Sequence, residues 1–243
     1  MNKKTSYIST HPAVIAVWAA LIAVATLLPA IPVIGTGATF SVGDALVPLA
    51  GILFGPVAGA ICAAIGAFIG QLIAPHTVVF GPLSFLIPTL GALCAGFAMQ
   101  KKWYVPLGAI VVFSLAWYLF PLGREVWFVP FAYYAPGVIA CVLLSLWPTW
   151  IGDEERRKMF AGIFLAALAS VTVNSSFGNI WALIMYQLPK EIWMAVLVIA
   201  PAQRILFSLG AAIVGTPLLI GLPKIGVIVG QMMYEEEAEE EIA

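Results

Sequence analysis

Long apolar runs separated by short clusters of proline, glycine and charge set the pattern of this chain. The runs cover about Ala13 to Val33, Gly43 to Ala74, Leu83 to Met99, Pro106 to Phe120, Pro130 to Trp147, Phe160 to Tyr186 and Trp193 to Leu222. Most are long enough to cross a bilayer as one helix, whose hydrocarbon core of roughly 30 Å takes about 20 residues. The second run is the exception. It carries one charge, Asp44, and is interrupted at Phe54-Gly55-Pro56. Proline disfavours helix at the residue before it and cannot extend the hydrogen-bond ladder, and glycine admits a tight turn. The piece from Asp44 to Phe54 would rise only about 16 Å at 1.5 Å per residue, whereas Val57 to Ala74 comes close to a full span. The pattern predicts a short helical hairpin at 44–74 with Gly55 and Pro56 at its turn. The expected fold is therefore an all-α polytopic membrane bundle of seven to eight segments, a single membrane domain over 1–243.

Between the runs, Pro29 and Pro32 end the first span and Gly35 to Ser41 reads as a turn-rich loop. Pro75, His76 and Gly81-Pro82 mark a second loop, and Lys101-Lys102 a third. Tyr133, Tyr134, Trp147 and Trp150 lie near the ends of their span and are expected as interfacial anchors. Asp153 to Lys158 is the one long charged loop. The tail 225–243 is acidic, with six of the twelve acids between Glu235 and Glu241, and is expected to be solvated. The run from Ala13 is too long for a signal h-region, has no A-x-A-like cleavage site, and is expected to stay as a helix.

Composition narrows the class further. Of 243 residues, 62% are hydrophobic and 9% charged, against about 25% charged in an average soluble domain. A soluble domain is excluded, and the lipid bilayer is the first partner. Eleven scattered basic residues at net charge −1 form no phosphate-tracking patch, so no nucleic-acid partner is expected. Cys62, Cys94 and Cys141 sit inside apolar runs with no ligand spacing, so no metal site and no disulfide is expected.

Basic residues also discriminate between topologies. With the hairpin crossing twice and the N-terminus inside, Lys3, Lys4, Lys101, Lys102, Arg156, Arg157, Lys158 and Lys224 are cytoplasmic. Only Arg124 and Lys190 are then outside, a split of 8 to 2. With a single crossing, four are inside and six outside. Eight segments with both termini cytoplasmic, in a multi-pass cell-membrane protein, is the reading that follows.

Two features carry candidate chemistry. Ala16, Ala19, Ala20 and Ala23 make one smooth helical stripe, and Gly55, Gly59, Ala63 and Ala67 a second. Small residues let helix backbones approach closely in lipid. The other feature is polar. Arg204 stands midway in the last span beside Gln203, and the preceding span carries Ser170, Thr172, Asn174, Ser175, Ser176 and Asn179. A central arginine costs roughly 2.5–3.5 kcal/mol on insertion scales, so it must face protein, water or ligand. Counted from the turn at Pro189, Asn179 and Arg204 lie at similar depth. Two readings stay open: capture of an anionic ligand by Arg204, Asn174, Asn179 and Gln203, or a polar helix–helix lock with Arg204 bound by backbone carbonyls and Asn174. Asp44 is read as a helix cap, and His11 and His76 as bystanders. No catalytic residues, no cofactor motif and no P-loop are found, so enzymatic chemistry is not expected.

The stretch VGDALVPLAGILFGPVAGAICAAIGAFIG resembles the signature segment of the substrate-binding (S) components of energy-coupling-factor (ECF) transporters. The segments Phe177 to Pro189, Pro201 to Arg204 and Gly215-Thr216-Pro217-Leu218-Leu219 are similar to that family's last two helices. The pair Ala16 and Ala20 is similar to the A-x-x-x-A motif by which such proteins contact their coupling subunit. The resemblance covers 13–100 and 159–222, leaving 104–150 as an inserted pair of spans beside a six-helix core. It implies a substrate-binding subunit of an ECF-type ABC importer that captures a small vitamin or related micronutrient. The implied partners are that small-molecule substrate, a coupling membrane subunit and two ATPases. Two other classes remain open: a stand-alone channel or secondary transporter, for which no internal repeat is found, and a membrane-embedded enzyme.

Overall fold

The computed structural model describes residues 12–33, 35–150, 153, 155–186 and 188–230. Lys3, Lys4, His11, Gln187 and the acidic run Glu235 to Glu241 lie outside the described residues. Helix α1 spans Pro12–Ala25, α2 Gly43–Phe54, α3 Pro56–Ile73, α4 Leu86–Met99 and α5 Tyr104–Trp117. A short α6 at Pro121–Glu125 leads to α7, Val129–Leu146. Two long helices close the bundle, α8 over Arg156–Met185 and α9 over Lys190–Gly221. Among the described residues, five helical segments are long and apolar enough to cross a membrane, and α1, α2 and α5 are shorter apolar helices.

The molecule departs from all-α between α1 and α2. Helix α1 stops at Ala25 rather than running to Val33, and the Thr26 hydroxyl turns back to the Ala23 carbonyl at 2.6 Å. Strand β1, Pro29–Pro32, then pairs antiparallel with β2, Thr39–Ser41, with an irregular register between Pro29 and Ile31. The expected loop is thus a small hairpin. Prolines at both ends of β1 keep its backbone extended and give the edge no surplus donors.

The break at 54–56 gives two helices. Gly55 stands between them at φ +80°, ψ 176°, a region that side-chain-bearing residues rarely adopt. Pro56 occupies the first turn of α3, where the missing N–H costs nothing. The backbone N–H of Gly230 donates to the Leu53 carbonyl at 2.9 Å, satisfying an acceptor that the break leaves unpaired. Against this hairpin lies α4. A side chain on Gly51 would strike the Ala92 carbonyl, one on Gly59 the Gly51 backbone, and one on Gly96 the Gly55–Pro56 backbone. Three helices therefore touch backbone to backbone, the kind of contact by which dispersion binds helices where lipid removes the hydrophobic drive.

At the centre runs α8, packed on α2, α4, α5, α7 and α9. That position explains its polar middle, which faces protein rather than lipid. Ser170 donates to the Gly91 carbonyl at 2.8 Å, while Thr172, Ser175 and Ser176 donate to carbonyls of the preceding turn at 2.7, 2.7 and 2.9 Å. Hydroxyls satisfied in this way cost little in the bundle. The helix starts earlier than its apolar run: Arg156, Arg157 and Lys158 form its first turn, with Lys158 held by Glu155 at 2.9 Å and Asp153 at 3.7 Å.

The four alanines of α1, Ala16, Ala19, Ala20 and Ala23, all line one groove. Ala19 and Ala23 are buried, with the Ala19 carbonyl close against Gly66 of α3. Ala16 and Ala20 are exposed, and Ile61, Ile65, Ile69 and Ile73 of α3 form the facing side of the groove.

Candidate functional site

A cavity of about 200 Å³ lies at one end of the bundle, enclosed by α8, α9, the β1–β2 hairpin, the start of α2 and residues 77–88. Arg204, Asn174, Asn179 and Gln203 all stand on its wall. Tyr133 reaches the same wall from α7, and Asp44 and Gln71 do so from α2 and α3. Aromatic residues complete it, including Phe40, Phe80, Trp193 and Phe207. The tip of the hairpin is seated on the turn between α8 and α9, with Gly35 against Leu188 and Ile192. Residues 79 and 80 are tied to the end of α8, where the Tyr186 hydroxyl donates to the Val79 carbonyl.

Arg204 is 4% exposed and makes four hydrogen bonds. Nε donates to Ser175 Oγ at 2.7 Å, Nη1 to the Ala200 carbonyl at 3.1 Å and to Gln203 Oε1 at 3.3 Å, and Nη2 to the Tyr133 hydroxyl at 3.0 Å. Its Cζ lies 4.6 Å from the Tyr133 ring centroid, close enough for cation–π attraction. The lock expected with Asn174 is not formed, and neither is a meeting with Asn179. The partners are Ser175, one residue on from Asn174, and a tyrosine from α7. Asn179 instead donates through Nδ2 to the Tyr134 hydroxyl at 3.1 Å.

Tyr133 and Tyr134 are therefore not interfacial anchors. They are 5% and 0% exposed, and their hydroxyls point into the bundle because polar partners wait there. Trp147 remains exposed, stacked on Trp150 at 4.7 Å. Asp44 is also placed differently from a cap of its own helix. It sits in the first turn of α2, and its carboxylate accepts from the Ser41 backbone N–H at 2.7 Å and the Ser41 hydroxyl at 3.2 Å. It thus reaches back to the end of β2 while standing on the cavity wall. His76 is exposed on the turn Pro75–Thr77.

The distribution of unmet polar atoms marks the cavity most sharply. Among the described residues, the buried side-chain polar atoms without a partner are Trp18 Nε1, Thr39 Oγ1, Gln71 Oε1, Asn174 Oδ1 and Trp193 Nε1. All except Trp18 belong to residues of this one wall. Each such atom costs about 1–3 kcal/mol if nothing bonds it. Four of the five therefore lie on one small cavity, which is lined by polar atoms with no protein partner. Asn174 cannot turn away freely, because its amide rests directly on Gly91 of α4. Sequence reading missed Gln71, Thr39, Trp193, Tyr133 and the wall position of Asp44. Gln71 alone carried a signal, as the one amide in the 18 residues of α3.

Residues 8–120 match the family model of the ECF-type riboflavin transporter, S component. The resemblance to S components read from the sequence is thereby shown over that part of the chain. The match runs through α5, which the sequence reading assigned to an insertion. An uncharacterized protein of Methanocaldococcus jannaschii is 24% identical over 179 residues, 72% of this chain. The chain spans 59% of the length of that relative. No solved structure matches.

Proposed function

We propose, from the S-component family match over residues 8–120 as the premise, that this chain is the substrate-binding subunit of an ECF-type importer for a small vitamin-like micronutrient. The observation that carries this reading is the cluster of four unpartnered buried polar atoms on one cavity wall. Binding is what such a wall supports: it offers fixed hydrogen-bonding groups and aromatic faces.

The wall also narrows the ligand. Thr39, Gln71, Asn174 and Asp44 supply acceptors, and aromatic rings supply flat apolar surface. Arg204 has spent four of the five N–H groups that a guanidinium carries, which leaves little for a bidentate grip on a carboxylate. A planar, uncharged molecule with several N–H or O–H donors fits better than a carboxylate-bearing anion. Riboflavin, the substrate named by the matching family, has that character and is the first compound to try.

The cavity's position favours uptake. The 26–42 and 74–85 loops and the turn at 188–189 border it, and these fall on one side in the eight-segment topology. Lys101, Lys102, Arg156, Arg157, Lys158 and Lys224 fall on the other, which the positive-inside rule makes cytoplasmic. A ligand would enter from outside, and release inward would need a partner that favours a second state with lower affinity. The coupling subunit and two ATPases would supply that partner. The open groove beside Ala16 and Ala20 is the surface we assign to contact with the coupling subunit.

The test is small-molecule mass spectrometry on the purified, washed protein, followed by fluorescence titration with riboflavin. A stoichiometric, donor-rich aromatic compound supports the reading. A protein that releases nothing and quenches no riboflavin fluorescence at high micromolar concentration overturns the riboflavin assignment.

A further inference from the structure

Two consecutive tyrosines of α7 each bond a residue of the candidate ligand wall, and Tyr133 stands on that wall itself. The Tyr133 hydroxyl accepts from Arg204 Nη2 at 3.0 Å while its ring lies 4.6 Å from the guanidinium carbon. The Tyr134 hydroxyl accepts from Asn179 Nδ2 at 3.1 Å. The rest of the guanidinium is held by α8 and α9 themselves, through Ser175, Ala200 and Gln203. Nη2 is fixed from α7. An arginine carries about 2 kcal/mol of rotamer entropy, so this last contact decides how sharply the group is aimed.

Helix α7 has little freedom to shift. A side chain on Gly137 would overlap the Thr172 side chain of α8, so the α7 backbone rests directly on that side chain one turn beyond the tyrosines. The α7 backbone therefore acts as a rigid mount for both hydroxyls.

We infer that Tyr133 and Tyr134 are positioning residues through which the α5–α7 unit sets the rotamers of Arg204 and Asn179 and, with them, ligand selection. The inference rests on the reading of the cavity as a ligand site. It gives the 104–150 segment a role inside the site rather than one of padding at the rim of the bundle.

The experiment uses the full-length protein in nanodiscs, with Tyr133→Phe, Tyr134→Phe and, as control, Tyr118→Phe. Tyr118 bonds the Trp127 carbonyl at 2.8 Å within the same unit and is not on the cavity wall. Two readouts are taken: hydrogen exchange of the Arg204 Nε–H in arginine-labelled protein by NMR, and riboflavin affinity by fluorescence quenching. Y133F is expected to speed exchange at Arg204 and to weaken riboflavin binding, each by about tenfold, as loss of one hydrogen bond to a charged group allows. Y134F is expected to weaken binding while leaving Arg204 exchange unchanged, and Y118F to change neither readout. Unchanged Arg204 exchange in Y133F overturns the positioning role whatever the ligand is. Faster exchange with riboflavin affinity held within twofold overturns the role in selection. Wild-type protein that does not bind riboflavin overturns the substrate assignment, and the exchange readout then decides on Tyr133 by itself.

Discussion

Arg204 is the residue on which most of the site turns, and its value lies in how it is held. A positive charge at this depth is tolerable because four acceptors and an aromatic face surround it. Arg204→Ala would leave the Tyr133, Ser175 and Gln203 side chains facing an empty space, at about 1–3 kcal/mol for each group left without a partner. It is expected to abolish ligand retention and to lower the melting temperature in detergent. Arg204→Lys keeps the charge but not the planar fork, so it should recover part of the stability and little of the affinity. A thermal melt and a ligand titration on the same preparations separate the two effects. Gly91→Ala probes the wall more gently. The added methyl would take the space of the Asn174 amide, so ligand affinity should fall several-fold while the protein still purifies as a monodisperse species.

At the scale of helices, the hairpin α2–α3 and its partner α4 are held by contacts that only glycine allows. Gly51→Ala forces a methyl into the Ala92 carbonyl, and backbone cannot rotate aside as a side chain can. Overpacking of this kind costs about 1–3 kcal/mol where side chains can adjust, and more is expected here. The variant should lose most of its yield in fluorescence-detected size-exclusion chromatography. Gly108→Ala in α5 is the matching control, since nothing lies within 4 Å of the added methyl. There the change should be neutral or stabilising by up to about 1 kcal/mol, because alanine is the better helix former. The same logic explains why α1 and α3 sit so near each other: Gly66 faces Ala19 and Ile22, and Gly70 faces Thr26.

For the whole molecule, the topology makes a prediction that labelling can check. In a background with Cys62, Cys94 and Cys141 replaced by alanine, single cysteines at Thr36 and His76 should react with an impermeant maleimide in intact cells. Cysteines at Lys101, Arg157 and Lys224 should react only after the membrane is opened. Reaction of Lys101 from outside would remove the double crossing of α2 and α3 and reverse the side on which the cavity opens.

What the chain states by itself is what depends on local composition. Burial in lipid is a property of each run, so the membrane class followed from 62% hydrophobic residues. The break at Gly55-Pro56 is likewise local, because proline and glycine act on their own backbone. The scarcity of polar side chains within apolar runs singled out Arg204, Gln203, Asn174 and Asn179, and the structure brings all four to one cavity. Partnership is another matter. That Arg204 meets Ser175 and Tyr133, that Asn179 meets Tyr134, and that Asp44 reaches back to Ser41 are consequences of helix rotation and depth, which a count of residues from a turn fixes only coarsely. The β-hairpin between α1 and α2 carries too short a pattern to announce itself. Tyr133 and Tyr134 look like interfacial anchors in sequence because a tyrosine near a helix end suits the headgroup region as well as it suits a buried partner. Only the packing of α7 on α8 and α9 decided which, since it placed an asparagine and an arginine within reach of their hydroxyls.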